Sequence, residues 1–285
     1  SCKWNSMDNI KNLKFKIVNL KFAELPAAKI FIFHFFIFYL FIAGCRNIQK
    51  QACPAIAGLA EGKQILADYA ASIKPVKATG ECSINYVNEN GEKFGQSFPV
   101  RMWYLNPEKF CFYGDVAFDP QGIGFAADEG RYWAYIKPMG VNVSGYVNAA
   151  EDNFFSNPSL LVDFVRCPEE DCDKPSLAKN IIICREQKSA RQKKIFINSC
   201  DRVAEKIEYF TKASRPVLVI KAEKYEKVDD GQFLFSHKLH YEYFDQKNGR
   251  NEMQFRFDSV KLWQPKEQQV RALFKQPDKK VKNQN

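Results

Sequence analysis

The chain has few of the residues on which catalytic and metal sites depend. It contains three histidines among 285 residues, and its nine cysteines form no CxxC pair and no Cys/His spacing of a zinc site. No GxSxG, HExxH or glycine-rich phosphate loop occurs. His237 and His240 lie three apart on one predicted strand, so they face opposite sides of a sheet and cannot share a metal. The sequence therefore predicts no catalytic residue, no metal site and no cofactor, and a hydrolase is the least favoured alternative.

The chain also lacks an apolar run long enough for a membrane-spanning helix. The stretch 30–43 holds 14 residues, whereas a spanning helix needs about 20. Lysines precede it, and the small pair Ala43-Gly44 ends it, which is the order of parts in a secretory signal. The sequence predicts a signal peptide over 1–44, and residues 1–6, before Met7, are candidates for upstream translation.

The residues Ile42-Ala43-Gly44-Cys45 resemble the bacterial lipobox, with Ile42 in place of leucine. The resemblance implies that Cys45 is lipidated, that it anchors the mature protein to a membrane, and that 45–56 is a tether. Arg46 stands where an aspartate retains such lipoproteins at the inner membrane, so the implied location is the outer membrane, facing the periplasm. The alternative is an uncleaved N-terminal anchor.

The positive charge does not indicate a nucleic-acid partner. Without residues 1–44, which hold six lysines and two acids, the net charge falls from +9 to +5. The basic residues are scattered rather than gathered on a face with interleaved aromatics, which nucleic-acid binding requires. We expect no nucleic-acid binding and a monomer.

Seven cysteines remain after Cys2 and Cys45 are set aside, and an odd count leaves at least one of them free. Cys167 and Cys172 flank a short acidic loop and are the first candidate disulfide. Cys184 and Cys200, on two predicted neighbouring strands, are the second.

The hydrophobic pattern predicts a mainly β protein. An amphipathic helix is expected over 57–73 and a short helix over 159–166. About ten alternating strands with turn residues between them indicate an antiparallel meander, and no repeated strand–helix–strand unit suggests a parallel sheet. The strands are expected at 76–87, 97–105, 109–118, 123–127, 131–137, 180–185, 194–199, 216–227, 232–244 and 253–263, with a further one in the second half of 201–210.

A long sheet of this kind curls. We therefore expect an incomplete barrel over 57–264, with the N-terminal helix and the mid-chain helix covering its concave face. Residues 265–285 are expected to be a charged tail, within which 270–274 could dock.

The order of these elements resembles the LolA/LolB-like lipoprotein carriers and receptors. The stretch 101–138 (RMWYLNPEKFCFYGDVAFDPQGIGFAADEGRYWAYIKP) is similar to the early meander of that family. The resemblance implies an N-terminal helix, a curved sheet of about eleven strands, and a concave face that binds the acyl chains of lipids or lipoproteins. It implies no particular binding residues.

The aromatic residues are numerous for one domain, and they support two interpretations. Part of the set could line an apolar cavity for an acyl chain, or all of it could fill a core. Strand parity places Met102 and Tyr104 on one face and Arg101 and Trp103 on the other, and leaves open which face is inward. The candidate cavity-lining residues are Trp103, Phe112, Trp133, Tyr135, Phe235 and Phe257. The predicted function is a non-catalytic, membrane-anchored envelope lipoprotein that binds lipid or lipoprotein acyl chains in an apolar cavity and could act in outer-membrane lipoprotein sorting. The alternative is a structural or partner-binding envelope lipoprotein with a filled core.

Overall fold

The structure is a computed structural model, and it describes residues 53–87, 91–116, 119–137, 140–147, 158–165, 172–186, 191–211, 215–229, 231, 233–245 and 249–275. The signal segment and Cys45 lie outside these residues. Within them, no helix combines the length and the apolar character that crossing a bilayer requires.

Alternating apolar and polar residues form strands over most of the chain. Among the described residues, two α-helices accompany them, α1 (Leu59–Ser72) before the first strand and α2 (Glu267–Phe274) after the last, and a 3-10 helix spans Pro158–Val165. The strands are β1 (Val76–Val87), β2 (Lys93–Asn106), β3 (Lys109–Val116), β4 (Asp119–Asp128), β5 (Arg131–Ile136), β6 (Val141–Tyr146), β7 (Cys172–Ala178), β8 (Ile181–Glu186), β9 (Gln192–Asn198), β10 (Val203–Phe210), β11 (Pro216–Val228), β12 (Phe233–Asp245) and β13 (Gly249–Leu262).

All thirteen strands belong to one antiparallel sheet, in the order β6-β5-β4-β3-β2-β1-β13-β12-β11-β10-β9-β8-β7. Two meanders, β1–β6 and β7–β13, are joined where β1 pairs with β13. The sheet is curved and does not close, because β6 and β7 form its two ends. The predicted fold class, an incomplete antiparallel barrel, is confirmed.

The two strands that sequence reasoning missed are these end strands. The β6 sequence VNVSGY is short and contains glycine, and the β7 sequence CDKPSLA contains Pro175. Proline lacks an N–H for the ladder and is tolerated on an edge strand. The residues that concealed these strands are therefore the ones that an edge position permits.

The alternation of each strand separates the two faces of the sheet. In β2, Val100, Met102 and Tyr104 are buried on the concave face, which holds the larger hydrophobic cluster. A bulge between Thr79 and Gly80 interrupts the pairing of β1 with β13. A Cβ at Gly80 would lie 2.0 Å from the carbonyl oxygen of Arg256, so only glycine permits this close approach.

Helix α1 covers one part of the concave face through its apolar stripe, Ile65, Leu66 and Tyr69. A disulfide between Cys53 and Cys200 ties the segment before the helix to the turn between β9 and β10. The predicted N-terminal helix is confirmed, with its end at Ser72.

The 3-10 helix Pro158–Val165, which we call the plug, covers another part of the concave face. Every residue of 160–165 is buried. The predicted mid-chain helix is confirmed, although it is a 3-10 helix. Such helices rarely exceed four residues because their hydrogen bonds are poorly aligned, so contacts with the sheet must hold this one.

The segment expected to be a charged tail contains α2. Its residues Val270, Leu273 and Phe274 pack against the convex face, and Phe274 is buried. In the structure, therefore, 270–274 docks on the convex face.

Candidate functional site

The plug contacts the sheet through both apolar and polar groups. The Tyr241 hydroxyl on β12 donates to the carbonyl oxygen of Leu161 at 2.6 Å, and the Phe164 ring meets Phe235 edge to face at 5.9 Å. Burial raises the pKa of the Tyr241 phenol well above its usual value, so the hydroxyl keeps its proton for this bond. The plug is thus fastened to the middle of the concave face.

A small cavity remains between the plug and the sheet. Its volume is about 10 Å³, the lower limit for holding one water molecule. Its lining is almost entirely apolar, and its small volume leaves no room for a ligand, so the plug fills this part of the concave face. The lining residues are Met102, Phe110, Phe112, Leu161, Val162, Leu239, Tyr241 and Phe255.

One side chain of the plug is charged. Asp163 accepts hydrogen bonds from the Lys193 ammonium on β9 and the Tyr209 hydroxyl on β10. The side chains of Lys193 and Asp163 are 3% and 5% exposed, so this is a buried ion pair. The Lys193 ammonium and the Arg191 guanidinium each lie 5.2 Å from the centre of the Tyr209 ring. An ion pair of this kind in an otherwise apolar interior is costly to desolvate.

The six predicted cavity-lining residues are divided between the two faces. Phe112, Phe235 and Phe257 belong to the concave cluster, and Phe112 lines the small cavity. Trp103, Trp133 and Tyr135 pack instead in the convex cluster beneath α2. Met102 and Tyr104 face inward, so Trp103 faces outward by strand parity, and the register carries this outward row from Trp103 across β3 and β4 to Trp133.

The convex cluster is an aromatic surface covered by α2. The Trp133 and Tyr135 rings stack at 5.7 Å, and the Tyr113 ring lies 6.0 Å from Trp133. The Tyr113 hydroxyl donates to the carbonyl oxygen of Leu273 at 2.7 Å, and Trp133 Nε1 donates to that of Phe274 at 3.3 Å. These two bonds satisfy carbonyls at the end of α2 that have no partner within the helix.

The histidines lie in ordinary sheet surroundings. His237 Nδ1 is 3.0 Å from the carbonyl oxygen of Phe257, and His240 lies between Glu242 (3.5 Å) and Glu252 (3.8 Å). No group of three or more metal-ligating side chains occurs among the residues that the structure describes.

The charged residues around Glu242 form a ladder across β11, β12 and β13. The Glu242 carboxylate, 8% exposed, accepts from Lys221 at 2.5 Å and from Arg250 at 3.1 Å. Burial by itself would raise the pKa of Glu242, but the hydrogen bond from Lys221 and the charges of Lys221, Arg250 and His240 hold it below its ordinary value. The group is therefore a charged stabilising contact at neutral pH.

The cysteine pairing differs from one of the two predictions. Cys200 is bonded to Cys53, so the predicted Cys184–Cys200 pair is wrong; Cys184 is disulfide-bonded as well. The strand pattern suggested neighbours for Cys200, but the N-terminal segment folds back to this turn. The predicted Cys167–Cys172 pair lies outside the described side chains. Cys82 and Cys111 are free and buried.

Sequence reasoning missed the ion pair between Asp163 and Lys193. The sequence does mark each of the two residues as unusual. Asp163 is a single acid in the apolar run SLLVDFV, and Lys193 shares the parity of Ile195 and Ile197, which are buried on the concave face. The sequence does not show that these two residues, thirty positions apart, are in contact.

The fold is similar to that of three bacterial proteins of known structure. A DUF1329 family protein from Desulfovibrio piger has 14% identity and a TM-score of 0.52, over 72% of this chain and 93% of that one. A domain described as an outer membrane lipoprotein-sorting protein from Vibrio parahaemolyticus has 10% identity and a TM-score of 0.49, over 75% and 97%. A LolA superfamily protein from Nitrosomonas europaea has 9% identity and a TM-score of 0.49, over 73% and 96%.

No protein-family model matches the sequence, and no curated protein matches it. At these identities the likeness to solved structures concerns the fold alone. Two of these three structures carry the lipoprotein-sorting or LolA description of the family that the sequence resembles, and the likeness is one of fold.

Proposed function

We propose that this protein is a non-catalytic envelope lipoprotein that binds an acyl chain of a lipid or lipoprotein on its concave face. The observation that carries the proposal is the plug. A curved sheet whose side chains filled its own interior would need no separate segment there. Here a 3-10 helix, a form with poorly aligned hydrogen bonds, supplies five apolar side chains between residues 160 and 165. A segment held mainly by its surroundings can leave without unfolding the sheet.

The free energy of burying the apolar side chains of the plug is close to that of burying an acyl chain. Each buried Leu, Val or Phe is worth about 1.5–3 kcal/mol, so the five apolar side chains contribute roughly 8–15 kcal/mol. A C16 acyl chain gains about 0.8 kcal/mol per buried methylene, or roughly 12 kcal/mol in all. The apolar contributions of the plug and of an acyl chain are therefore of similar size, and the exchange also separates Asp163 from Lys193.

The lipid on Cys45 would hold the domain at the membrane whose lipids or lipoproteins it receives. In the proposal this membrane is the outer membrane, with the domain in the periplasm. The disulfide between Cys53 and Cys200 fixes the start of the folded domain at the turn between β9 and β10. The anchored chain would enter the domain at that end of the sheet.

The test loosens the plug while keeping its apolar surroundings. Tyr241→Phe removes the hydrogen bond to Leu161, which is worth about 1 kcal/mol, so the affinity for a C16 acyl probe should rise about fivefold. Tyr225→Phe is the matched control, because the Tyr225 hydroxyl donates at 2.6 Å to Ala204, which is not in the plug. The control should lose similar stability and keep the wild-type affinity. Titration of delipidated protein, followed by native mass spectrometry, measures the affinity of both variants for the probe.

The filled interior also supports a second candidate, a structural or partner-binding envelope lipoprotein. This candidate requires that neither the wild type nor the Tyr241→Phe variant bind the acyl probe. Purified protein would then carry no lipid, and crosslinked envelopes would yield a protein partner. A C16 complex in the titration excludes it as the main function.

A further inference from the structure

The buried ion pair has a chemical character that the acyl-chain proposal does not explain. An acyl chain requires an apolar groove, yet the concave face carries Lys193, 2% exposed, at an inward position of β9. Replacing a buried ion pair by apolar residues of similar volume is often neutral or stabilising. The stability of the fold therefore gives no reason for a lysine at this position.

The backbone positions that carry the cationic group belong to the sheet and not to the plug. Lys193 and Tyr209 are directly opposite one another in the register of β9 and β10. Arg191, two residues before Lys193, places its guanidinium 5.2 Å from the centre of the Tyr209 ring. An ammonium and a hydroxyl thus point at one place on the concave face, next to a second buried cation.

The plug fills this place with a carboxylate. Its apolar side chains occupy the groove, and Asp163 puts one acidic group on Lys193 and Tyr209. An apolar body with a single acidic head is also the composition of an anionic amphiphile. If the plug leaves, Lys193 loses the Asp163 carboxylate, and a ligand with an acidic head would replace both parts of the plug at once.

We propose that Lys193 and Tyr209 form a headgroup site for an anionic amphiphile, occupied in the closed protein by the carboxylate of Asp163. This inference rests on the proposed function, since it names the class of ligand that the same face takes. The head is a carboxylate or a phosphate, because both accept hydrogen bonds from an ammonium and a hydroxyl. Neutral lipids of equal chain length bind the groove but not the site.

The experiment compares three C16 amphiphiles on the complete domain: palmitate, hexadecyl phosphate and hexadecanol. A charge-assisted hydrogen bond favours the anionic ligands, so the wild type should bind them about 10- to 100-fold more tightly than hexadecanol. Lys193→Met should remove this preference and leave hexadecanol binding in place. Lys194→Met is the matched control on the same strand, with its ammonium 4.4 Å from the Phe210 ring and away from the plug, and it should keep the preference.

Lys193→Met leaves Asp163 buried without its lysine, which destabilises the fold, so the double variant Asp163→Leu/Lys193→Met accompanies it. The double variant should fold and bind all three ligands within about threefold of one another. Preference for palmitate alone or hexadecyl phosphate alone identifies the source as a fatty acid or a phospholipid head, and either result supports the site.

Equal binding of hexadecanol and the anionic ligands by the wild type overturns the headgroup site and leaves the acyl-chain proposal intact. A preference that survives in the double variant overturns it as well. Failure of all three ligands to bind removes the proposed function and the headgroup site together.

Discussion

Two segments from outside the sheet cover its two faces, and they do so in different ways. The plug is buried along 160–165 and brings a charged residue into the concave core. Helix α2 buries a single residue, Phe274, and hydrogen-bonds to the convex face through the carbonyl oxygens of its last two residues. The concave cover belongs to the core of the domain, whereas the convex cover is an attachment to its surface.

The difference explains where a ligand can act. Displacing α2 exposes an aromatic surface but opens no enclosed space, because Trp103, Trp133 and Tyr135 lie on the outer side of the sheet. Displacing the plug opens the interior of a curved sheet. Aromatic residues on the concave face therefore line the interior, and those on the convex face form the surface beneath α2. The face on which each ring lies decides between these two roles.

The largest expected effect comes from breaking the ion pair that holds the plug. Asp163→Ala leaves the buried Lys193 charge without its carboxylate and should lower the free energy of unfolding by about 3–5 kcal/mol. Denaturation with urea measures it. The double variant Asp163→Leu/Lys193→Met should be near the wild type in stability, and an equal loss in the double variant would show that the pair is not the cause.

The disulfide before α1 should have the next largest effect, because that helix also covers the concave face. Cys53→Ser should cost about 2–4 kcal/mol, since Cys53 and Cys200 close a loop with a sequence separation of 147. Thermal unfolding measures the change. Cys200→Ser is the matched control, because it removes the same bond and leaves the disulfide of Cys184 intact, and it should cost the same amount.

Removing the anchor of the convex cover should have a smaller effect. Phe274→Ala should lower the free energy of unfolding by about 1.5–3 kcal/mol. It should also shift the fluorescence emission of Trp103 and Trp133 to the red, because both rings become more exposed to solvent. Gln268→Ala, at an exposed position of α2, is the control. Unchanged emission in Phe274→Ala would contradict the convex packing. Acyl-probe affinity should be the same in both variants, since the concave face is untouched.

The smallest effect concerns the charged ladder on β11–β13, and it depends on pH. The folded-state pKa of Glu242 is lowered, so its contribution is present above its ordinary value of 4.5 and disappears as the pH falls through the lowered value. Glu242→Gln should therefore destabilise the protein by about 1–2 kcal/mol at neutral pH and by little in strong acid. Urea titrations at several pH values test this. A penalty that stays constant with pH would exclude the ionic contribution.

Most of the fold could be predicted from the sequence because its strands carry a simple alternation. The two strands that were not predicted, β6 and β7, are the end strands of the sheet. Residues such as Pro175 and Gly145 argue against a central strand but are acceptable at an edge. The sequence predicts 265–285 as a charged tail within which 270–274 could dock, but it does not predict the helix α2. Its docking depends on an aromatic surface assembled from β2, β3 and β5, which no local pattern displays.

The candidate site was predicted less well than the fold, and the reason is the same. Parity placed Trp103 on the face opposite Met102, but the sequence could not say which face was inward, so three convex residues joined the cavity set. The function itself and the lipidation of Cys45 stay predictions.

The sequence by itself determined the antiparallel class, the alternation of the strands and the presence of the two helical segments before the last meander, because these follow from local periodicity. The tertiary structure decided that the sheet has thirteen strands with open ends, that Cys53 reaches Cys200, and that Asp163 meets Lys193. Each of these is a contact between residues distant in the chain. Periodicity is a property of neighbouring residues, whereas the register and curvature of the whole sheet bring distant residues together.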